Sequence, residues 1–244
     1  MSHKWTKGLS WLALVLALGG TIAAFTGMTL ARVDTIGKLE GFKYLTLAAP
    51  VMVGALVIAF IALLLNWRTG WPARRAALIG FLFAAGFIGS LAVRVAMGAD
   101  APMIHDVTTD LADVPQFETI TLPEDNMRGL SEPSEWVSLH EIGYPDLRSV
   151  VLDRPVAQTI RDAEKLARER GWTIRAVDTE AGRLEATSYA SYIRFEDEVV
   201  VRVRPDGAGR SLVDMRSVSR VGIGDLGVNG QRIRDFLEDL AAVR

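Results

Sequence analysis

The stretch VVVRVRPDGAGRSLVDMRSVSR, residues 199–220, determines the fold of the second half of the chain. Apolar side chains alternate with charged ones on both sides of the Pro-Asp-Gly-Ala-Gly segment at residues 205–209. A two-residue period is typical of half-buried strands, and Pro, Asp and Gly favour a chain reversal. The sequence therefore predicts a strand through residues 199–203 and an antiparallel neighbour over residues 212–220.

The flanking residues extend this pair into an α+β domain. A helix is predicted from Asp153-Arg154-Pro155 to Gly171, and a last helix follows the glycine-rich segment 222–230, because apolar residues recur there every three or four positions. Three more strands are predicted over residues 147–152, 172–177 and 184–194. We expect residues 146–244 to form an antiparallel sheet of about five strands with two helices on one face.

The net charge of −2 is an average over two halves of opposite sign. Residues 1–98 carry 9 Lys and Arg against 2 acidic residues, a net charge of +7, whereas residues 99–244 carry 18 against 27, a net charge of −9. This distribution argues against a nucleic-acid binder with a basic face, and the absence of Cys excludes a disulfide scaffold.

All of the apolar excess lies in the basic half. Three charge-free runs, residues 8–31, 44–67 and 76–93, are close to or above the roughly 20 residues that a helix needs to cross a bilayer. We therefore predict a membrane anchor of three transmembrane helices over residues 1–99, with the lipid bilayer as its first partner.

Basic residues predict the orientation of this anchor. The N-terminus and the second loop together hold five Lys and Arg, whereas residues 100–127 hold none. Because basic loops remain in the cytoplasm, we expect a cytoplasmic N-terminus and an extracytoplasmic C-terminal domain.

The segment between anchor and domain, residues 100–145, is rich in Pro and acidic residues and shows no sustained periodicity. We call it the strap. It is longer than an ordinary loop, so we expect an extended linker that is either docked on the domain or partly mobile.

One face of the predicted sheet is polar. Side-chain alternation assigns seven residues to this polar sheet face: Glu185, Thr187, Arg202, Arg204, Asp214, Arg216 and Arg220. Such an array could bind an anionic ligand or a partner protein. The favoured alternative is a ladder of cross-strand ion pairs on a solvated face.

Two further segments suggest chemistry. His105, Asp106 and Asp110 lie in one short stretch and could form a metal or acid–base site, although local turn capping is favoured. The glycine-rich segment 222–230 superficially resembles a phosphate cradle, but a helix start capped by Asp225 or Asn229 explains it more simply. We predict no metal and no cofactor.

Several spaced motifs resemble an uncharacterised family catalogued as domain of unknown function 1499. The resemblance covers roughly residues 103–241, with a local departure at Arg194-Phe195-Glu196, where the family usually has Gly-Phe. It implies a domain often found behind membrane helices in bacterial proteins, and hence a multi-pass protein of the bacterial inner membrane with a periplasmic domain. The family supplies no established catalytic residues. The motifs are residues 104–106, 108–110, Pro115, Phe117, 144–145, 185–187, 197–203, 214–220, 225–227, Asn229 and 232–234.

Three functions are compatible with these features. The preferred one is a binding or assembly module for a membrane or envelope complex, ahead of a lipid-handling or small-ligand-binding domain. An enzyme that uses His105 and Asp106 ranks last, and nucleic acid is not an expected partner. The candidate binding residues are His105, Asp106, Asp110, Glu185, Arg202, Asp214, Arg216, Arg220 and Asp225.

Overall fold

The computed structural model describes residues 3–243 and divides into two units. The first unit runs to Met97 and includes residues 192–194, and the second comprises the rest of the chain from Gly98.

The first unit is built from three helices. They are α1 (His3–Arg32), α2 (Lys38–Arg68) and α3 (Arg74–Met97). Each is long and apolar enough to cross a membrane, by length and composition. Alanines such as Ala17, Ala55 and Ala84 are fully buried between them, because small side chains allow helix backbones to approach closely. The predicted three-helix anchor is confirmed at this level.

The second unit contains one antiparallel sheet of six strands. Its strands are β1 (Asp106–Thr108), β2 (Val150–Leu152), β3 (Thr173–Asp178), β4 (Arg183–Ala190), β5 (Phe195–Pro205) and β6 (Ser211–Ser219). Their order is β1-β6-β5-β4-β3, and β2 also pairs with β6. The predicted central hairpin is confirmed, since Arg202 lies opposite Asp214 and Val201 lies opposite Met215.

Three helices accompany this sheet, namely α4 (Pro133–Gly143), α5 (Val156–Glu169) and α6 (Val228–Ala242). As predicted, α5 and α6 cover the apolar face of the sheet. Ile160 of α5 and Phe236 of α6 are fully buried in the same core as Val201 and Met215 of the sheet. The ring of Phe236 also stacks on Trp172, with the centroids 4.9 Å apart.

The expectation of a strap without regular structure was wrong in two places. The strap contains β1, which adds the sixth strand, and the 11-residue helix α4. Neither produces a clear periodic signal, because β1 has three residues and the two buried positions of α4 are Trp136 and the polar His140.

Candidate functional site

The strap covers the polar sheet face. Glu185 is fully buried there, and its carboxylate accepts backbone N–H groups from Glu118 at 2.6 Å, Thr119 at 3.1 Å and Ile120 at 2.8 Å. The buried carboxylate and the backbone N–H groups all need hydrogen-bond partners away from water, and these three bonds supply them. The strap is therefore docked, and the expectation of a solvated polar face was wrong.

A buried ion pair joins the start of the strap to β6. Arg216 donates from Nε to Asp106 Oδ1 at 2.9 Å and from Nη2 to Asp106 Oδ2 at 2.6 Å. The Asp106 and Arg216 side chains are 2% and 10% exposed. Asn126 adds a third donor to the same carboxylate at 2.7 Å, and Arg216 also donates to the Pro115 carbonyl. Arg216 and Asp106 thus bind Pro115 and Asn126, which flank the part of the strap that contacts Glu185.

A second cluster lies where the strap crosses the β5–β6 hairpin. Asp214 is fully buried and accepts hydrogen bonds from Arg202 at 3.0 Å, Arg204 at 2.8 Å and Ser149 at 2.5 Å. The same guanidinium groups reach Asp110 of the strap at 3.3 and 3.2 Å. The predicted ion-pair ladder therefore exists, but the strap supplies part of it and shields it from water.

Arg220 occupies the more open end of this face. It donates to Glu198 at 2.7 Å, and Glu198 also accepts a hydrogen bond from Thr187 at 2.7 Å. Arg220 is 36% exposed. Every arginine that the sequence assigned to the polar sheet face is thus paired with a carboxylate of this same chain, which weakens the anion-site interpretation.

His105 and Asp106 do not work together. His105 donates from Nδ1 to the Ile223 carbonyl at 3.0 Å, and its Nε2 has no hydrogen-bond partner. Successive side chains of an extended segment point to opposite faces, so Asp106 faces Arg216 whereas His105 does not. The structure therefore does not assemble the proposed acid–base site.

Asp225 caps the last helix, as the sequence indicated. Its carboxylate accepts the backbone N–H groups of Gly227 at 2.9 Å and Asn229 at 2.6 Å. Burial raises the pKa of this carboxyl despite these two bonds. Because these two N–H groups at the start of the helix already donate to Asp225, they are not available to bind a phosphate, which argues against the phosphate cradle.

A buried polar network on the helix side of the sheet was missed from sequence. Arg232 of α6 pairs with Asp197 of β5 at 2.5 Å, and Ser217 donates to Asn229 Oδ1 at 2.6 Å. The Asn229 amide group in turn donates to the His105 carbonyl at 3.0 Å. These bonds attach α6 to the sheet and to the start of β1.

Helix α4 completes the free edge of β1. Trp136 donates from Nε1 to the Asp106 carbonyl at 2.8 Å, and the Thr108 N–H donates to His140 Nε2 at 3.1 Å. Because Nε2 accepts a hydrogen bond, the neutral ring carries its proton on Nδ1. Burial lowers the pKa of His140, which favours this neutral form. Two side chains thus take the place of a neighbouring strand.

A cleft of about 320 Å³ lies beside this edge. Eight residues line it: Thr108 at the end of β1, Thr109 and Leu111 after it, His140 and Glu141 of α4, and Tyr144, Pro145 and Leu147. His140 and Tyr144 are 2% and 4% exposed, yet His140 Nδ1 and the Tyr144 hydroxyl have no hydrogen-bond partner. An unpaired buried donor costs about 1–3 kcal/mol. Both residues line the cleft, but the two unpaired atoms are themselves buried, so a ligand would reach them only through a small opening of this wall.

The His140 ring and the Tyr144 phenol are both held in their neutral forms. Burial raises the pKa of the Tyr144 phenol, and the nearby Asp225 carboxylate raises it further. Gly230 of α6 permits this placement, because a Cβ there would lie 2.3 Å from the Tyr144 ring. Tyr144 therefore remains a hydroxyl that can donate, beside a histidine Nδ1–H that must donate.

The family model described as protein of unknown function (DUF1499) matches residues 106–240, from the first residue of β1 into α6. The chain belongs to this family. The resemblance seen in its motifs is therefore confirmed, and the match takes in all six strands of the DUF1499 domain, α4, α5 and most of α6. No curated protein matched the chain.

The cleft of the DUF1499 domain was not predicted from sequence. Trp136, His140 and Tyr144 recur every four residues and so share one side of α4 and its C-terminal end, which is the one local signal for them. Within residues 3–243, no group of three or more His, Cys, Asp or Glu side chains is arranged to hold a metal ion.

Proposed function

We propose that the chain is a membrane-tethered binding module whose DUF1499 domain attaches to a membrane or envelope complex through the cleft beside β1. The observation that carries this proposal is the pair of buried, unpartnered groups in its wall, His140 Nδ1 and the Tyr144 hydroxyl. The polar sheet face is a poorer surface, because the strap already pairs its charges.

The chemistry of the cleft defines what it accepts. A small opening of the wall would offer the His140 Nδ1–H and the Tyr144 O–H as hydrogen-bond donors, whereas Leu111, Pro145 and Leu147 offer apolar contacts. The matching group is a carboxylate or carbonyl oxygen on a small apolar body, such as a side chain or chain terminus of a partner protein. Binding would then give the unpaired donors hydrogen-bond partners while burying little surface area. Specificity would therefore depend on these hydrogen bonds more than on the size of the interface.

A freely diffusing small molecule is the second candidate. The cleft volume of about 320 Å³ lies at the lower end of the roughly 300–1,000 Å³ typical of small-ligand pockets. Handling of an acyl chain between helices and sheet has less support, since Ile160, Phe236 and Met215 fill that layer. Catalysis through His105 and Asp106 has the least support, since these side chains share no hydrogen bond.

The proposal includes an orientation. With the N-terminus in the bacterial cytoplasm, the DUF1499 domain lies in the periplasm, tethered to the inner membrane. A reporter that is active only in the periplasm, fused after residue 244, should be active. An inactive periplasmic fusion together with an active cytoplasmic one would reverse the orientation.

Affinity purification of the full chain from its native membranes in mild detergent, followed by native mass spectrometry, tests the function. We expect a discrete protein partner with the wild type, and its loss when Glu141→Arg reverses a charge in the wall of the cleft. Glu238→Arg makes the same change at an exposed position of α6 that does not line the cleft, and it is the control. A small molecule lost with Glu141→Arg would favour the second candidate, and a partner retained by Glu141→Arg would contradict both.

A further inference from the structure

A group of exposed apolar side chains lies in the second unit, close to its first residue, Gly98. Ile223 is 50% exposed and Leu226 is 54% exposed, although both belong to the ordered segment that leads into α6. We call the group the apolar loop surface; it comprises Met103, Met127, Ile223, Leu226 and Val228. Soluble domains rarely leave such a group of side chains together in water unless it binds something.

Contacts at glycines hold together the chain segments that carry these side chains. The Met103 sulfur lies 3.2 Å from the Cβ position of Gly224, and Ile223 lies against Gly129, two residues after Met127. The loop between β6 and α6 is thus held between the start of the strap and residues 127–129. Arg128 fixes the same loop by donating to the Gly222 carbonyl at 2.6 Å.

The surface contacts the residue that directly follows an apolar helix in the chain. Gly98 directly follows Met97, the last residue of α3. A Cβ at Gly98 would lie 2.5 Å from Leu226 Cβ and 2.9 Å from the Leu226 carbonyl oxygen, so the loop packs directly on the residue that leaves α3. Because α3 is long and apolar enough to cross a bilayer, its end lies at a membrane surface if the helix spans it.

From this continuity we propose that the apolar loop surface inserts into the membrane interface and binds the lipid bilayer that holds the anchor. Leu226 and Ile223 enter the boundary between headgroups and acyl chains, as the apolar faces of interfacial helices do, roughly 5–10 Å deep. The domain is then held against the membrane and does not swing freely about the connection at residues 97–98.

The attraction is apolar rather than electrostatic. None of the five side chains of this surface is basic, and Arg128, which lies against the loop, is only 14% exposed and donates to the Gly222 and Ser219 carbonyls, so little positive charge is available to attract anionic lipids. Insertion should therefore be the same in neutral and anionic bilayers and insensitive to salt. This expectation separates the proposal from the usual basic membrane-binding patch.

Lipid-borne quenching measures the insertion in the full chain. The chain contains no Cys, so single substitutions Ile223→Cys and Leu226→Cys can each carry one fluorophore. Val151→Cys is the matched control, because Val151 is an apolar residue of β2 with 47% exposure. Each variant is reconstituted in phosphatidylcholine nanodiscs, with or without phosphatidylglycerol. One quencher is a nitroxide on the lipid just below the headgroup, and the other is iodide in the buffer.

Insertion predicts that the nitroxide quenches labels at positions 223 and 226 at least about twofold more than the label at 151, with the opposite order for iodide. Added phosphatidylglycerol or salt should leave this order unchanged. Equal lipid quenching at the three positions, or strong iodide quenching at 226, would overturn the proposal. So would protection of 223 and 226 from both quenchers, which indicates a protein cover.

Discussion

Arg216 of β6 holds the carboxylate of Asp106 with two hydrogen bonds, 2.9 and 2.6 Å long, although 110 residues separate them in the chain. The pair lies under the strap and faces away from the helices. It therefore joins β1 to the neighbouring strand β6, and it explains why charges that resemble a binding face are structural.

Breaking this pair should be costly. Arg216→Met leaves the Asp106 carboxylate buried without its main partner, so we expect a loss of about 3–5 kcal/mol in the free energy of unfolding. Arg168→Met, which removes an exposed pair with Glu164 on α5, should cost less than about 1 kcal/mol. Chemical denaturation of the full chain in detergent, followed by tryptophan fluorescence, measures both. Equal losses would mean that the buried pair has no special role.

Glu185 should control the docking of the strap. Glu185→Gln keeps the shape of the side chain but removes the charge that accepts the N–H groups of residues 118–120. Hydrogen bonds to a charged group contribute about 1.5–3 kcal/mol, so exchange of these amides should accelerate roughly tenfold to a hundredfold. Hydrogen–deuterium exchange with mass spectrometry tests this, with the exposed Glu180→Gln as control. Unchanged exchange at residues 118–120 would show that other contacts suffice.

The regular elements were predictable because their signals are local. The apolar runs, the alternation around residues 205–209 and the stripes of α5 and α6 need no knowledge of distant residues. The strap was not predictable in this way, since Glu185 meets residues about 65 positions away. The sequence did nominate Asp106, Glu185 and Asp214, but it could not show that the strap buries them.

The cleft was missed for a related reason. His140 stands in α4 where an apolar residue would have marked the buried side, and its role depends on the Thr108 N–H, 32 residues away. The Tyr144 hydroxyl is notable only because nothing pairs with it in the folded domain. The four-residue spacing of Trp136, His140 and Tyr144 marks one side of α4, but which of their polar atoms remain unpaired is decided by packing.

His140 should make the domain sensitive to acid. Burial lowers its pKa below the ordinary value of about 6.5, so below that pH the unfolded chain binds a proton that the folded chain does not. Its contribution to stability is complete above about pH 6.5 and is lost as the pH falls through the folded pKa, by at most about 1.4 kcal/mol per pH unit.

Denaturation midpoints of the full chain between pH 8 and pH 5 measure this effect against His140→Gln, whose amide oxygen can still accept the Thr108 N–H. The variant should show a weaker fall toward pH 5. If both proteins lose stability in parallel, another group controls the acid response.

Tyr144→Phe should separate stability from binding. The hydroxyl has no partner, so removing it should leave the free energy of unfolding unchanged or raise it by up to about 1 kcal/mol. The same change removes one of the two donors buried behind the wall of the cleft and should reduce recovery of the partner. Tyr144→Ala, by contrast, should cost about 3–5 kcal/mol because it empties a buried site. A stable Tyr144→Phe protein with full partner recovery would show that the hydroxyl is not used for binding.

Site-directed photo-crosslinking in native membranes tests most directly whether the cleft, and not the polar sheet face, is the binding surface. A benzophenone amino acid is placed at Glu141 in the wall of the cleft, or at Glu118, whose side chain is 66% exposed on the strap. We predict a discrete adduct of defined mass from position 141 and none from position 118. An adduct from position 118 with none from position 141 would contradict this account.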